Sequence, residues 1–261
     1  MPFIYTKEEF KAGLRSSGIE PGDTLFCHSN IGFFGFLKGL ESNNDICENL
    51  LECIFEVIGR DGTFVVPTFT YSFGSDKERK VFDVQKSDAK SMGVFAEYIR
   101  NLDNSVRSHD PMFSVSAVGS KAEYLTKNVS NECFGTDSFW DRFVECNGKI
   151  CNFNFDSGST LIHYFEKKLQ VPYRKDLRFS GTIVDSGKTE DKTITFFCRD
   201  LNDPQSASKF ERFDRYAKQK YTQTASVGRG VIVAITADQT YTLIKNTITD
   251  EPNFLTKKGS I

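Results

Sequence analysis

In the stretch STLIHYFEKKLQVPYR, residues 159–174, an imidazole (His163) and a carboxylate (Glu166) stand three positions apart. Such a pair suits general-base chemistry: the ring takes a proton, and the acid orients the ring or attracts a cationic substrate. Read as a helix, the stretch puts Leu161, Ile162, Tyr164, Phe165 and Leu169 on one arc and His163, Glu166, Lys167 and Gln170 on the other. His163 then faces solvent or a cleft, with Glu166 close enough to share its pocket. A helix beginning near Ser159-Thr160 places His163 in the first turn, where the dipole disfavours imidazolium and keeps the ring able to accept a proton. A lone histidine on a polar face is more often an ordinary surface residue, and the wheel does not choose between the two.

Two further groups could bind a ligand. His28-Ser29-Asn30 follows an apolar run and leads into Gly32 and Gly35, a loop able to offer amides and hydroxyls to a phosphate or a pantetheine chain. Arg107-Ser108, in VRSHDPMFS, could hold an anion or cap a loop. The phosphate-loop and dinucleotide glycine patterns are missing, and so is the G-x-S-x-G elbow of serine hydrolases. Seven cysteines, odd in number, irregularly spaced and without a C-x-x-C pair, fit neither a zinc site nor a disulfide framework. The expectation is reduced thiols and no metal.

These residues need elements to position them. Thr6 before Lys7-Glu8-Glu9 predicts an N-cap and a helix to about Ser16. GIEPGD turns the chain into TLFCH, a buried strand ending at His28. Ile46, Leu50, Leu51, Ile54 and Phe55 share a 3.6-residue period, predicting a helix over 45–58, and Pro67 stops a second buried strand, TFVVP. Strand, helix, strand implies a parallel βαβ unit. The polar stretch 71–91 reads as a solvated excursion. Helices over 94–100, 121–127, 138–144, 205–221 and 237–245 follow, with strands at 113–118, KICNFNF and GVIVAI, and 172–200 alternates like antiparallel strands. The fold class is α/β, a single domain over residues 1–261. Its central sheet is largely parallel or mixed and flanked by helices, with an antiparallel insertion in the C-terminal half.

A net charge of −2 gives no global pull toward nucleic acid or a membrane surface, so an anionic ligand needs a local basic site. No apolar run approaches the ~18 residues of a membrane span. MPFIYTKEEF lacks the pattern of a signal peptide, which predicts a cytoplasmic enzyme. The 25 phenylalanines are many enough to line a cleft as well as fill a core.

Four segments, in order, resemble the aminoglycoside 3-N-acetyltransferase family. GDTLFCHSNIGFFG is similar to that family's strand and His-Ser-Ser loop, and DGTFVVPTFTYSF to its Pro-Thr-Phe-Thr segment. MGVFAEYIRNLDNSVRSHDPMFSVSAVG resembles its Gly-x-x-x-Glu-x-x-Arg helix with the Arg-Ser and Pro that follow. STLIHYFEKKLQVPYR resembles its Asn-Thr-x-x-His-x-x-Glu segment ending in Val-Pro-Tyr-Arg. The resemblance spans roughly residues 5–250 and implies direct acyl transfer from acetyl-CoA or another acyl-CoA to an amine of an amino sugar, with no metal. It implies His163 as base and Glu166 as its partner. His28, Ser29, Asn30, Thr68, Arg107 and Ser108 would lie on the CoA side, and Tyr71, Asp110 and Asp156 on the acceptor side. Three positions depart from the pattern: Asn30 for a Ser, Asp110 before Pro111 for a His, and Ser159 for an Asn. Because acidic residues are scattered, and Arg199, Arg212 and Arg215 could meet a phosphate, the expected acceptor is a nucleotide-linked amino sugar. An aminoglycoside is the alternative, and a non-catalytic CoA- or sugar-binding relative is a second. The oligomeric state stays open.

Overall fold

The computed structural model describes residues 3–74 and 80–259. The N-terminal part runs β1 (Ile4–Tyr5), α1 (Lys7–Ser16), β2 (Thr24–Phe26), β3 (Phe36–Leu37), α2 (Asn43–Ile58) and β4 (Thr63–Pro67). The middle holds β5 (Val81–Asp83), α3 (Val94–Arg100), β6 (Val106–Arg107), β7 (Val115–Gly119), α4 (Ala122–Thr126), α5 (Phe139–Glu145) and β8 (Lys149–Phe153). Then come α6 (Leu161–Lys168), the hairpin β9 (Arg174–Asp185) and β10 (Lys188–Arg199), α7 (Glu211–Lys220), β11 (Gln223–Val227), β12 (Gly230–Thr236) and α8 (Ala237–Asp250).

Seven strands form one sheet in the order β11-β12-β8-β2-β4-β7-β6. β2 runs parallel to both β8 and β4, while β7, β6, β12 and β11 add antiparallel margins, so the sheet is mixed. Alternation along each strand divides the core in two. Leu25, Phe64, Val66 and Cys151 face the layer containing α1, α2 and α3. Phe26, Val65, Ile150 and Ile235 face the layer of α5, α6 and α8. The α1 start follows the expected logic: the Thr6 hydroxyl accepts from Glu9 N while Glu9 caps Thr6 N. Gly119 (φ +119°) lets β7 close on the turn before β4, where a Cβ would lie 2.4 Å from Gly62 O.

Several elements depart from expectation for identifiable reasons. The stretch 71–91 is less solvated than its charges suggest, because Phe73 and Phe82 are fully buried. Its β5 pairs in parallel with β9, making the insertion a three-stranded sheet, β10-β9-β5. Residues 75–79 of that stretch lie outside the described residues. The helix expected over 205–221 begins only at Glu211; before it, Asp203 caps a short turn at Pro204–Ser206 by accepting from Gln205 N. β11 went unseen because its sequence, QTASV, is a mostly exposed edge strand without an apolar face. The strand expected to end at His28, β2, ends at Phe26, two residues earlier. All seven cysteines are unpaired thiols. No helix among the described residues is long and apolar enough to cross a membrane.

Phe26 is the point where the central strand meets the α5 layer, with its ring 4.8 Å from Trp140 and 6.0 Å from Phe139. Phe26→Ala should therefore destabilise the fold by about 3–5 kcal/mol, since this fully buried site has little room to collapse. Urea unfolding checks this, and a cost below about 1 kcal/mol would contradict the packing described.

Candidate active site

The three parallel strands β8, β2 and β4 deliver their carboxyl ends to one rim of the sheet, the customary ligand side of an open α/β sheet. From that rim run the loops holding His28-Ser29-Asn30, Thr68 to Tyr71, and Asn154 to Gly158. Asn152 ties two of them together: its Oδ1 accepts from His28 N (3.1 Å) and its Nδ2 donates to Asp156 O (2.5 Å). The last of these loops leads into α6, so the first turn of that helix reaches the same rim.

His163 occupies this first turn, and its N donates to Thr160 O (3.0 Å). Its Nδ1 lies 2.6 Å from Glu166 Oε2. Among the described residues no protein group bonds Nε2. A carboxylate at Nδ1 fixes the proton there and leaves the Nε2 lone pair available. Glu166 is not on a solvated arc, as the helical wheel suggests, but fully buried. It is held there because Tyr173 Oη donates to Oε1 (2.8 Å) and Arg174 Nε forms an ion pair with Oε2 (2.7 Å). Burial alone would raise the Glu166 carboxyl, but His163, Arg174 and Tyr173 outweigh it and hold it below the usual carboxylate range. Burial, then the positive charge of Arg174, push the His163 ring below its ordinary value, so the neutral form prevails near pH 7.

Aromatic rings carry a wall from His163 across the rim. Phe134 and Phe210 flank His163 at 5.8 and 5.6 Å. Phe134 meets Phe113 (5.0 Å), which meets Phe69 and Tyr71 (5.3 Å each), and Phe69 meets His28 (6.2 Å). His28 and His163 therefore stand at opposite ends of one ring-lined wall. Burial pushes the His28 ring down to about 4, so it too is neutral.

The structure sorts the other candidates. Ser29 Oγ is buried without a hydrogen-bond partner and Asn30 is exposed beside it, which leaves both with polar capacity toward a ligand. Arg107 does not present its charge to an anion. Nε donates to Thr68 Oγ1, Nη1 to Val84 O and Ser87 O, and Nη2 to Thr68 O and Ser114 Oγ, which uses all five N–H groups. Thr68 is fully buried in this clamp, and the buried Ser108 Oγ accepts from Val115 N (3.0 Å). These three residues hold the loops together, and the polar side-chain groups of Arg107 and Thr68 are spent on that task.

On the other side, Tyr71 is exposed and packs on Phe113. Asp110 Oδ1 accepts from Met112 N and Phe113 N, while burial pushes its carboxyl up. Asp156 is exposed next to Asp214, whose Oδ1 accepts from Ser157 Oγ (2.8 Å) and Gly158 N (2.6 Å). Burial raises the Asp214 carboxyl, and the neighbouring Asp156 adds to the rise. Arg199, Arg212 and Arg215, which could have met a phosphate or sat in surface pairs, do not converge. Arg199 donates to Asp200 O, Arg215 is exposed on α7, and Arg212 is buried between Glu251 and Thr256 O. Among the described residues no three metal-ligating side chains gather.

Tyr173, Arg174, Phe210 and Asp214 were missed from the sequence. The first two stand in plain view in VPYR, and a pairing of that Arg with the Glu on the preceding helix was the signal available. Nothing local marks Phe210 or Asp214, which reach the site only through packing of α7.

Residues 26–249 match the sequence profile of the family described as aminoglycoside 3-N-acetyltransferase. The aminoglycoside N(3)-acetyltransferase VII of Streptomyces paromomycinus is 24% identical over 200 residues, covering 70% of this chain and 67% of its own. Among solved structures, the aminoglycoside acetyltransferase AAC(3)-Xa superposes with a TM-score of 0.79 at 20% identity, over 95% of this chain and 93% of the other. AAC-IIIb in binary complex with CoASH gives 0.78 at 22% identity, over 95% and 97%.

Two outcomes follow from the geometry. Arg107→Ala should cost about 3 kcal/mol or more, because several buried carbonyls lose their donors, while CoA affinity in the folded fraction stays near that of the parent. Urea unfolding alongside calorimetric titration checks both; weaker CoA binding at unchanged stability would reassign Arg107. The second concerns pH. His28 and His163 are depressed when folded, so the unfolded chain takes up their protons first, and stability falls as pH drops from about 6.5 toward 4. His28 alone contributes up to about 3 kcal/mol to that loss. Melting temperatures of the parent and of His28→Asn across this window should converge toward the acid end.

Proposed function

The chain belongs to the aminoglycoside 3-N-acetyltransferase family, and we propose that it transfers an acetyl group from acetyl-CoA to an amine of an aminoglycoside-type amino sugar. The observation that carries the reading is the 2.6 Å contact of His163 Nδ1 with buried Glu166, which leaves Nε2 unbonded in the first turn of α6. An amine with a pKa near that of an α-amino group, ~8, is mostly protonated at neutral pH and needs a base to become a nucleophile. Acyl-CoA supplies the thioester carbonyl. Two protons leave the ammonium: one passes to solvent to give the neutral amine, and His163 Nε2 takes the second as the nitrogen bonds the carbonyl carbon and the C–S bond breaks. The imidazolium then returns this proton to the departing sulfur. Glu166 keeps the other proton on Nδ1 throughout and stabilises the transient cation. Ser29 and Asn30, with their unengaged polar groups, fit the CoA side, and no covalent acyl-enzyme is required.

The acceptor reading turns on charge. A polycationic sugar needs carboxylates, and Asp156 and Asp214 lie on the loop and helix that adjoin His163, with Asp110 behind the ring wall. A nucleotide-linked sugar needs a basic cluster for its diphosphate, and Arg199, Arg212 and Arg215 do not form one. The aminoglycoside alternative is therefore preferred over the nucleotide-sugar expectation. A non-catalytic relative would have no need of a buried acid maintained at considerable desolvation cost beside a histidine.

His163→Ala should lower kcat by ~10²-fold or more with CoA affinity near that of the parent. The acidic limb of kcat/KM should fall below ~6.5 in the parent, matching the depressed ring. An Ala variant keeping half the activity would return His163 to the surface-residue reading. Thiol release from acetyl-CoA with gentamicin-type drugs and with nucleotide-linked amino sugars decides the acceptor, and the drugs should give the higher kcat/KM.

A further inference from the structure

Resting on His163 as the base, we infer that Tyr173 and Arg174 are positioning residues: they hold the Glu166 carboxylate so that it accepts the Nδ1–H hydrogen bond of His163 and leaves Nε2 free. The two side chains divide the carboxylate between them. Tyr173 Oη reaches Oε1 at 2.8 Å, while Arg174 Nε and His163 Nδ1 meet on Oε2 at 2.7 and 2.6 Å. The carboxylate and the guanidinium lie inside the protein, Glu166 0% exposed and Arg174 8%, while His163 and Tyr173 are partly buried at its edge.

The arrangement solves a conflict built into any buried Glu–His pair. A carboxylate without water seeks a cation, and the nearest candidate is the imidazolium. Left alone, Glu166 would trap His163 in its protonated form, which cannot act as a base. A permanent guanidinium on the same oxygen satisfies the carboxylate's charge and relieves the ring of that duty. Arg174 cannot swing away, because Nη1 donates to Phe197 O (3.3 Å) and Nη2 to Ser208 Oγ (2.9 Å). The remaining neighbours of the ring do not compete. Phe134 and Phe210 are uncharged, and Asp214 on α7 is engaged with Ser157 and Gly158. Lys167, next to Glu166 on α6, pairs with Asp176.

The chain has three histidines, so imidazole ¹⁵N NMR on histidine-labelled protein can follow each of them, with His109→Gln for assignment. In the parent, His163 should be neutral with its proton on Nδ1. Tyr173→Phe and Arg174→Gln should each raise its titration midpoint and mix its tautomers. A rise of about one unit leaves about tenfold less neutral imidazole below the midpoint, and the acidic limb of kcat/KM should move by the same amount at unchanged CoA affinity. Arg174→Lys, which keeps the charge and loses the fork, should fall between the parent and Arg174→Gln. If Arg174→Gln does not fold, Tyr173→Phe, which removes one hydroxyl, carries the test. Folded variants with the parent's midpoint and tautomer overturn the inference. A shifted midpoint with an unmoved kinetic limb instead overturns the assignment of His163 as base, while the placement of Glu166 stands.

Discussion

One buried carboxylate sets the terms for the rest of this site. Glu166 is removed from water by the packing of α6 against the core, and a carboxylate in that position is tolerable only with good partners on both oxygens. Those partners come from two directions: His163 from one turn earlier on the same helix, and Tyr173 and Arg174 from the chain entering β9. The His163 tautomer and the neutrality of its ring are both consequences of how this one negative charge is accommodated. By contrast the exposed ion pairs, such as Lys7–Glu52, are solvated contacts of small energetic weight.

The sheet provides the frame. Three parallel strands end on one rim, and the loops that leave them are cross-tied by side chains. Asn152 joins the His28 and Asp156 loops, and Arg107 joins Thr68, Val84, Ser87 and Ser114. Burial pushes the Arg107 guanidinium down to about 10, still far above neutral pH, so its charge is kept without any carboxylate touching it. Carbonyl dipoles take the place of a counter-ion. In sequence, Arg-Ser beside a ligand loop looks like an anion site; in space it is the fastening between two loops.

Much of the frame was legible because it rests on local rules. The capping box at Thr6, the helical period of α2 and the apolar run of β4 each act within a few residues, and the elements formed as read. The same holds for His163, whose place in the first turn of α6 follows from the apolar arc beside it. What the wheel could not contain was Glu166's environment, since burial there depends on a hairpin that begins after the helix has ended. Phe82 was hidden in a similar way: a polar stretch was judged by its charges, while Phe73 and Phe82 are fully buried and β5 pairs with β9. Arg199, Arg212 and Arg215 looked alike in the sequence but differ in fate, because α7 buries one of its two arginines and exposes the other.

The side chain that steadies the acid also reports on distant parts of the chain. Arg174 reaches Phe197 at the far end of the hairpin and Ser208 in the segment before α7, so its grip on Glu166 exists only when both have arrived. A molecule whose C-terminal third has not assembled would contain His163 and Glu166 in sequence, on a formed helix, yet lack the clamp that holds the acid against the ring. The arrangement around His163 is thus conditional on completion of the fold: the ring's surroundings are finished last, by chain that arrives from elsewhere.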